Sequence, residues 1–196
     1  MKTLQELWDS HDGRLADKWQ SYFEVYERHF SRFRGKPCRI LEIGVAHGGS
    51  LQLWKAYFGD QALIIGLDID TRCLDYEEDR VQVYHGDQSD RKFMAALGEM
   101  AGPFDIVIDD GSHVDAHQTA SFEALWEKYT RSTYLIEDCH VHYPYLGKPA
   151  LRYEYPWVLV VEKPKRMIAG KASRPLNSDE LAVYGPIDLY TDVQSV

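Results

Sequence analysis

A doubly wound α/β fold is what this sequence predicts, and three observations predict it. Apolar runs of strand length alternate with helix-periodic stretches along the chain. Those runs are nearly continuous, as in strands buried on both faces of a parallel sheet. A glycine-rich turn joins the first run to the first helix behind it. Together they imply right-handed crossovers and a mostly parallel sheet with helices on both faces.

The first stretch, to about Arg34, is aromatic and charged. Tyr22, Val25, Tyr26, His29, Phe30 and Phe33 fall on one side of a helix, which then packs on the sheet or on a second copy. A second reading makes Asp17, Lys18, Trp19 and the residues after them a flap over a bound ligand. The organising stretch is residues 39–50, Arg-Ile-Leu-Glu-Ile-Gly-Val-Ala-His-Gly-Gly-Ser. Ile40, Leu41 and Ile43 read as a strand, and Gly44, Gly48 and Gly49 as a turn. Leu51, Trp54 and Phe58 follow at helical spacing. Such a turn lets a ligand approach the backbone and leaves the helix's first N–H groups free to hold it. Glu42 favours a ligand with cationic, amino or ribose groups over a bare pyrophosphate.

Residues 62–69, Ala-Leu-Ile-Ile-Gly-Leu-Asp-Ile, form a second strand ending at Asp68, where an acid meets ribose hydroxyls in nucleotide-binding sheets. A third strand at residues 81–85 runs into Asp87, Gln88 and Ser89, then a helix carrying Phe93, Leu97 and Met100. Asp87 suits an adenine amino group, although capping by Asp87 or Ser89 explains the same residues. The fourth strand, Phe-Asp-Ile-Val-Ile, stops at Asp109, Asp110 and, three residues on, His113. A helix with Phe122, Leu125, Trp126 and Tyr129 leads to a fifth strand ending in Glu137 and Asp138. Neighbouring strands lie about 5 Å apart, so these acids crowd one rim, which is tolerable around a cation. All-oxygen ligation selects a hard ion, Mg²⁺ or Mn²⁺. An imidazole is the side chain whose ordinary titration falls near neutral pH, so a histidine at this position suits a general base, here His113. His113 and His117 also stand at zinc-like spacing, but no cysteine pair completes such a site. Residues 139–155 read as an aromatic loop with His140, His142, Tyr143 and Tyr145. Residues 157–161 read as a late core strand, and residues 182–190 as an edge strand or tail.

The 196 residues fit one α/β domain: residues 1–35 a helical lid or packing segment, 36–163 the core, and 164–196 an extension of unassigned role. The net charge of −9, from 22 basic against 31 acidic residues, argues against a nucleic-acid binder, which needs a basic face. Cys38, Cys73 and Cys139 are scattered, as in a reduced cytoplasmic protein, and neither a signal peptide nor a bilayer-spanning run is evident.

The Glu-x-Gly-x-Ala-x-Gly turn resembles the glycine loop of class I S-adenosylmethionine-dependent methyltransferases, a Rossmann-like fold, with Ala46 in place of the middle glycine. The strings Leu-Glu-Ile-Gly-Val, Gly-Leu-Asp-Ile, Gly-Asp-Gln-Ser-Asp, Asp-Asp-Gly-Ser-His and Ile-Glu-Asp extend the resemblance. They are similar to the sugar O-methyltransferases of the mycinamicin and demethylmacrocin type, and to rhamnosyl O-methyltransferases, from about residue 17 to residue 163. The resemblance implies S-adenosylmethionine held by Glu42, Gly44, Gly48, Asp68, Asp87 and Gln88, with Asp109 added here as a contact to its ammonium or sulfonium end. It implies Mg²⁺ on Asp110, Glu137 and Asp138, and His113 as the base. The expected reaction is methyl transfer to a hydroxyl of a sugar or glycosylated natural product, in antibiotic biosynthesis, by a protein that is a homodimer if the aromatic N-terminal helices pair. A shorter glycine loop and Cys-His-Val-His-Tyr-Pro after Asp138 depart from the family. Two alternatives stand beside it: the same chemistry on a catechol or phenol, and a nicotinamide-dependent oxidoreductase. The second is disfavoured because the glycines do not follow Gly-x-Gly-x-x-Gly.

Overall fold

The computed structural model describes residues 1–139, 150–153 and 158–163. Two short helices, α1 (Leu4–Asp9) and α2 (Tyr22–Phe30), precede the sheet, and a 3-10 turn (Ser31–Phe33) follows α2. Then come β1 (Cys38–Ile43), α3 (Gly49–Phe58), β2 (Ala62–Asp68), β3 (Val81–His85), α4 (Arg91–Ala101), β4 (Phe104–Asp109), α5 (Asp115–Tyr129) and β5 (Thr130–Ile136). The described chain ends with β6 (Ala150–Tyr153) and β7 (Val158–Glu162).

The seven strands form one sheet in the order β3-β2-β1-β4-β5-β7-β6. The first five are parallel, and β7 runs antiparallel between β5 and β6. The doubly wound α/β fold expected from the sequence is borne out. Two details differ. The late strand runs on to Glu162, and β6 lies inside a stretch that the sequence suggested was all loop. Strand order reverses beside β1, whose neighbours are β2 and β4. That places a ligand crevice outside the carboxyl ends of β1 and β4.

Strand side chains alternate between two cores. Ile40, Ile64, Ile106, Ile108 and Leu135 face a layer built by α1, α2 and α3. Leu41, Ile43, Ile65, Leu67, Val107, Tyr134 and Ile136 face α4 and α5. Trp54 is the hub of the first layer, with its ring 5.1 Å from Tyr26 and 6.0 Å from Phe30. The predicted apolar face of α2 is therefore buried against this chain's own α3. Among the described residues no helix is long and apolar enough to cross a membrane. His140, His142, Tyr143, Tyr145 and residues 164–196 lie outside the described residues.

Candidate active site

The glycine turn after β1 is pinned from both sides. Gly44 donates to Leu67 O at 2.8 Å, and Asp110 N–H donates to Ile43 O at 2.9 Å. Gly44 has φ +89°, and a Cβ there would stand 2.1 Å from the Asp110 carbonyl oxygen, so only glycine fits. Asp68 holds the turn through Oδ2, which accepts from Val45 N at 2.7 Å and Ala46 N at 3.0 Å. Its Oδ1 accepts from Asp70 N at 2.8 Å. Gly48, at φ +78°, packs on the Tyr76 ring and starts α3. The free helix N–H groups expected from the sequence need one correction. Gly49 N–H donates to Leu15 O at 3.1 Å, because residues 10–21 run across the turn as an irregular strap.

That strap delivers Lys18 into the acid rim. Its ammonium lies 3.2 Å from Glu42 Oε1, 3.3 Å from both Glu137 oxygens, and in direct contact with Asp110 Oδ2. Burial alone would lower the ammonium's pKa, but Glu137, Asp110 and Glu42 outweigh it and hold the pKa well above the usual value. Burial and the Asp110 charge push Glu137 up, against Lys18 and the Tyr26 hydroxyl, which donates to it at 2.6 Å. Glu42 is fully buried, accepting from Ser50 Oγ at 2.7 Å and Trp54 Nε1 at 3.1 Å. It sits behind Lys18, not at an open cleft. Tyr22 hydroxyl donates to Asp138 Oδ1 at 2.6 Å.

Strand alternation sends Asp109 to the other face. It is fully buried and accepts from Ser121 Oγ at 2.6 Å, Gln88 Nε2 at 2.9 Å and Tyr134 Oη at 3.3 Å. Asp109, expected as a contact to a cofactor's charged end, is placed beneath α5 and β5 with its oxygens taken by these three donors. Gln88 is likewise buried, and its Oε1 accepts from Ser112 N at 2.7 Å. Both ends of this amide are used to hold the turn that carries His113. Asp87 is exposed and accepts from Ser89 N at 2.8 Å, which lowers its pKa. Capping of α4 falls to Asp90 instead.

Asp110, His113 and Asp138 converge, with one potential ligand atom from each lying within 4.8 Å of the others. His113 Nε2 stands 3.8 Å from Asp110 Oδ1 and 3.9 Å from Asp138 Oδ2. Glu137 is outside this group and faces Lys18 and Tyr26. The carboxylate oxygens fit a hard divalent ion that keeps water or substrate oxygens in its shell. His117 instead pairs Nδ1 with Ser112 Oγ at 3.0 Å, away from a zinc-like arrangement with His113. His113 and Asp138 both hold positive φ, +55° and +49°, a strained conformation that clusters at working sites. The sequence reading gave Lys18 to a flap over the ligand and Tyr22 and Tyr26 to a packing face; the structure brings all three side chains to the acid rim. The four-residue spacing of Tyr22 and Tyr26, which puts both side chains on one face of α2, is the signal that points to the two tyrosines.

The sheet order, the glycine turn beside the strand-order reversal and the acid rim on β4 and β5 are those of the class I S-adenosylmethionine-dependent methyltransferase fold. No family model matches the chain. Curated relatives do. One is the 8-demethyl-8-(2-methoxy-alpha-L-rhamnosyl)-tetracenomycin-C 3'-O-methyltransferase of Streptomyces olivaceus, 40% identical over 147 residues, which are 67% of this chain and 37% of that protein. Another is the demethylmacrocin O-methyltransferase of Streptomyces fradiae, 41% identical over 66% of this chain and 35% of that protein. A third is the mycinamicin VI 2''-O-methyltransferase of Micromonospora griseorubida, 42% identical over 60% of this chain and 31% of that protein. The chain thus spans about a third of the length of the curated relatives it matches. Among solved structures, the MycE methyltransferase from the mycinamycin biosynthetic pathway, in complex with Mg, SAH and mycinamycin VI, superposes with a TM-score of 0.71 at 29% identity. That match covers 93% of this chain and 59% of that one. Crystal form 1 of the same enzyme, in complex with Mg and SAH, gives 0.69 at 30% identity, over 83% and 54%. The resemblance to the macrolide sugar O-methyltransferases is borne out.

Proposed function

We propose that this protein is an S-adenosylmethionine-dependent O-methyltransferase that methylates a hydroxyl of a sugar or glycosylated natural product in antibiotic biosynthesis. The convergence of Asp110, Asp138 and His113 at the mouth of the reversal crevice carries this reading. Gly44, Gly48, Asp68 and Asp87 line the cofactor side of that edge, with Glu42 and Gln88 supporting it from behind. Asp110, Glu137 and Asp138 would hold Mg²⁺ or Mn²⁺. When bound, the ion supplies positive charge that makes an acceptor hydroxyl easier to ionise.

The chain's own residues do the rest. His113 takes the hydroxyl proton at Nε2, and the imidazolium so formed is stabilised by Asp110 and Asp138 at 3.8 and 3.9 Å. The strained turn at residues 110–113, clamped by Gln88, fixes the ring so that little reorganisation precedes transfer. The acceptor oxygen then attacks the methyl carbon in line, and the carbon–sulfur bond breaks to leave S-adenosylhomocysteine. The net charge of −9 fits a small-molecule acceptor over nucleic acid, and the free, buried cysteines fit a reducing cytoplasm.

The test pairs calorimetry of S-adenosylhomocysteine, with and without Mg²⁺, with an acceptor assay of glycosylated macrolides against catechols. His113→Ala is expected to lower turnover by about 10²-fold or more while leaving S-adenosylhomocysteine affinity unchanged. EDTA is expected to stop turnover, and Mg²⁺ to restore it. Full activity in EDTA, or near-wild-type turnover by His113→Ala, would overturn the reading.

A further inference from the structure

Lys18 is a buried charge in the strap to which the proposed chemistry gives no task. Its side chain is 4% exposed, whereas its neighbours Leu15 and Trp19 are 65% and 54% exposed. No residue from 11 to 20 is fully buried, so apolar packing does little to hold this segment down. What holds it is a short set of polar contacts. Arg14 N–H donates to Gln52 Oε1 at 2.9 Å, Leu15 O accepts from Gly49, and the Arg14 guanidinium lies over the Tyr76 ring and 3.4 Å from Glu78. The buried anchor among them is the Lys18 ammonium amid three carboxylates.

Three acids around one ammonium leave the cluster short of positive charge. The oxygens that Lys18 contacts are Asp110 Oδ2, both oxygens of Glu137 and, behind them, Glu42 Oε1. Asp110 also turns Oδ1 towards His113 and Asp138, so this one carboxylate is shared between the strap and the ligand-capable group. A divalent ion held by Asp110, Glu137 and Asp138 together needs the oxygens that the ammonium now covers. Two cations on one pair of carboxylates repel each other strongly in a buried site.

We propose that Lys18 is a place-holding cation, seated between Asp110 and Glu137, which a divalent ion displaces when Glu137 joins its ligands. The inference rests on the proposed metal site and adds that loading the site releases the strap. Metal entry and strap closure thus oppose each other, and the strap reports whether the ion is present. Tyr22 and Tyr26 stay on α2 and keep Asp138 and Glu137 oriented throughout.

The test uses the full chain without cofactor, and two variants. Lys18→Met keeps an unbranched side chain and removes the charge; Lys18→Arg keeps the charge. Calorimetry with Mg²⁺ or Mn²⁺ alone is expected to show Lys18→Met binding about tenfold tighter than wild type, and Lys18→Arg no tighter. Hydrogen exchange of the wild type is expected to quicken across residues 10–21 and at Gly49 when Mg²⁺ is added. Equal or weaker metal binding by Lys18→Met, or strap exchange that saturating Mg²⁺ leaves unchanged or slows, would overturn the inference and leave the metal site standing. If neither wild type nor Lys18→Met binds the ion, the metal site falls as well. The wild-type exchange experiment decides the matter even if Lys18→Met does not fold.

Discussion

Replacing Gln88 by alanine distinguishes a contact to the cofactor from a support for the catalytic turn. The side chain is buried and makes two strong hydrogen bonds, to Asp109 Oδ1 at 2.9 Å and from Ser112 N at 2.7 Å. Truncation takes one donor from a buried carboxyl and leaves a backbone N–H without its acceptor. A hydrogen bond to a carboxyl is worth about 1.5–3 kcal/mol, and an unsatisfied N–H costs about 1–3 kcal/mol. Water entering the space left behind recovers part of this, so the expected loss is about 2–4 kcal/mol. For a chain of this size that lowers Tm by about 4–16 °C. The readouts are Tm by calorimetry, S-adenosylhomocysteine affinity and turnover. Gln88→Ala should be markedly less stable and slower, since the His113 turn loses its clamp, while the affinity of refolded protein changes little. The reasoning fails if Tm is unchanged and S-adenosylhomocysteine binding drops tenfold or more.

Two further predictions concern the frame around the site. Gly44→Ala should cost about 2–4 kcal/mol in urea unfolding, from the positive φ and the clash with the Asp110 carbonyl; an unchanged midpoint would show that the turn can move. Glu162 tests pH dependence. Burial alone would raise its carboxyl, but His29 and Arg32 outweigh it and bring it from 4.5 down to about 2. A lowered carboxyl stabilises the fold above its unfolded pKa, and that stability is lost as pH falls from about 4.5 towards 2. Glu162→Gln should therefore cost roughly 1–2 kcal/mol at pH 7, after discounting for solvent at this half-buried site, and almost nothing near pH 2. An equal loss at both pH values would contradict the assignment.

The layout of the sheet was legible because continuous apolar runs and a glycine turn carry local signals. Asp110 and Asp138 were legible for the same reason: both fall just past strand ends on the ligand edge. The burial of Asp109 was not anticipated, although strand alternation pointed to it. Successive residues along a strand face opposite ways, which sends Asp109 to the face covered by α5, away from Ile108. The flap reading named Lys18 but not its partners, which lie 24, 92 and 119 residues away; only tertiary structure brings Glu42, Asp110 and Glu137 to it. The role of Gln88 was hidden in the same way, since an amide reads alike whether it meets a ligand or a backbone N–H. The strand β6 was obscured by Gly147, Pro149 and the aromatics around it, which read as loop.

The aromatic layer around Trp54 changes how the first 35 residues should be thought of. Tyr26, Phe30 and Leu4 are buried in the same core as Ile40, Leu51 and Phe58. A gene fragment opening at β1 would lack one wall of its own interior and would present a broad greasy surface to solvent. Anyone trimming this protein to a minimal catalytic unit should therefore cut elsewhere, because the stretch that looks like an appendage is masonry.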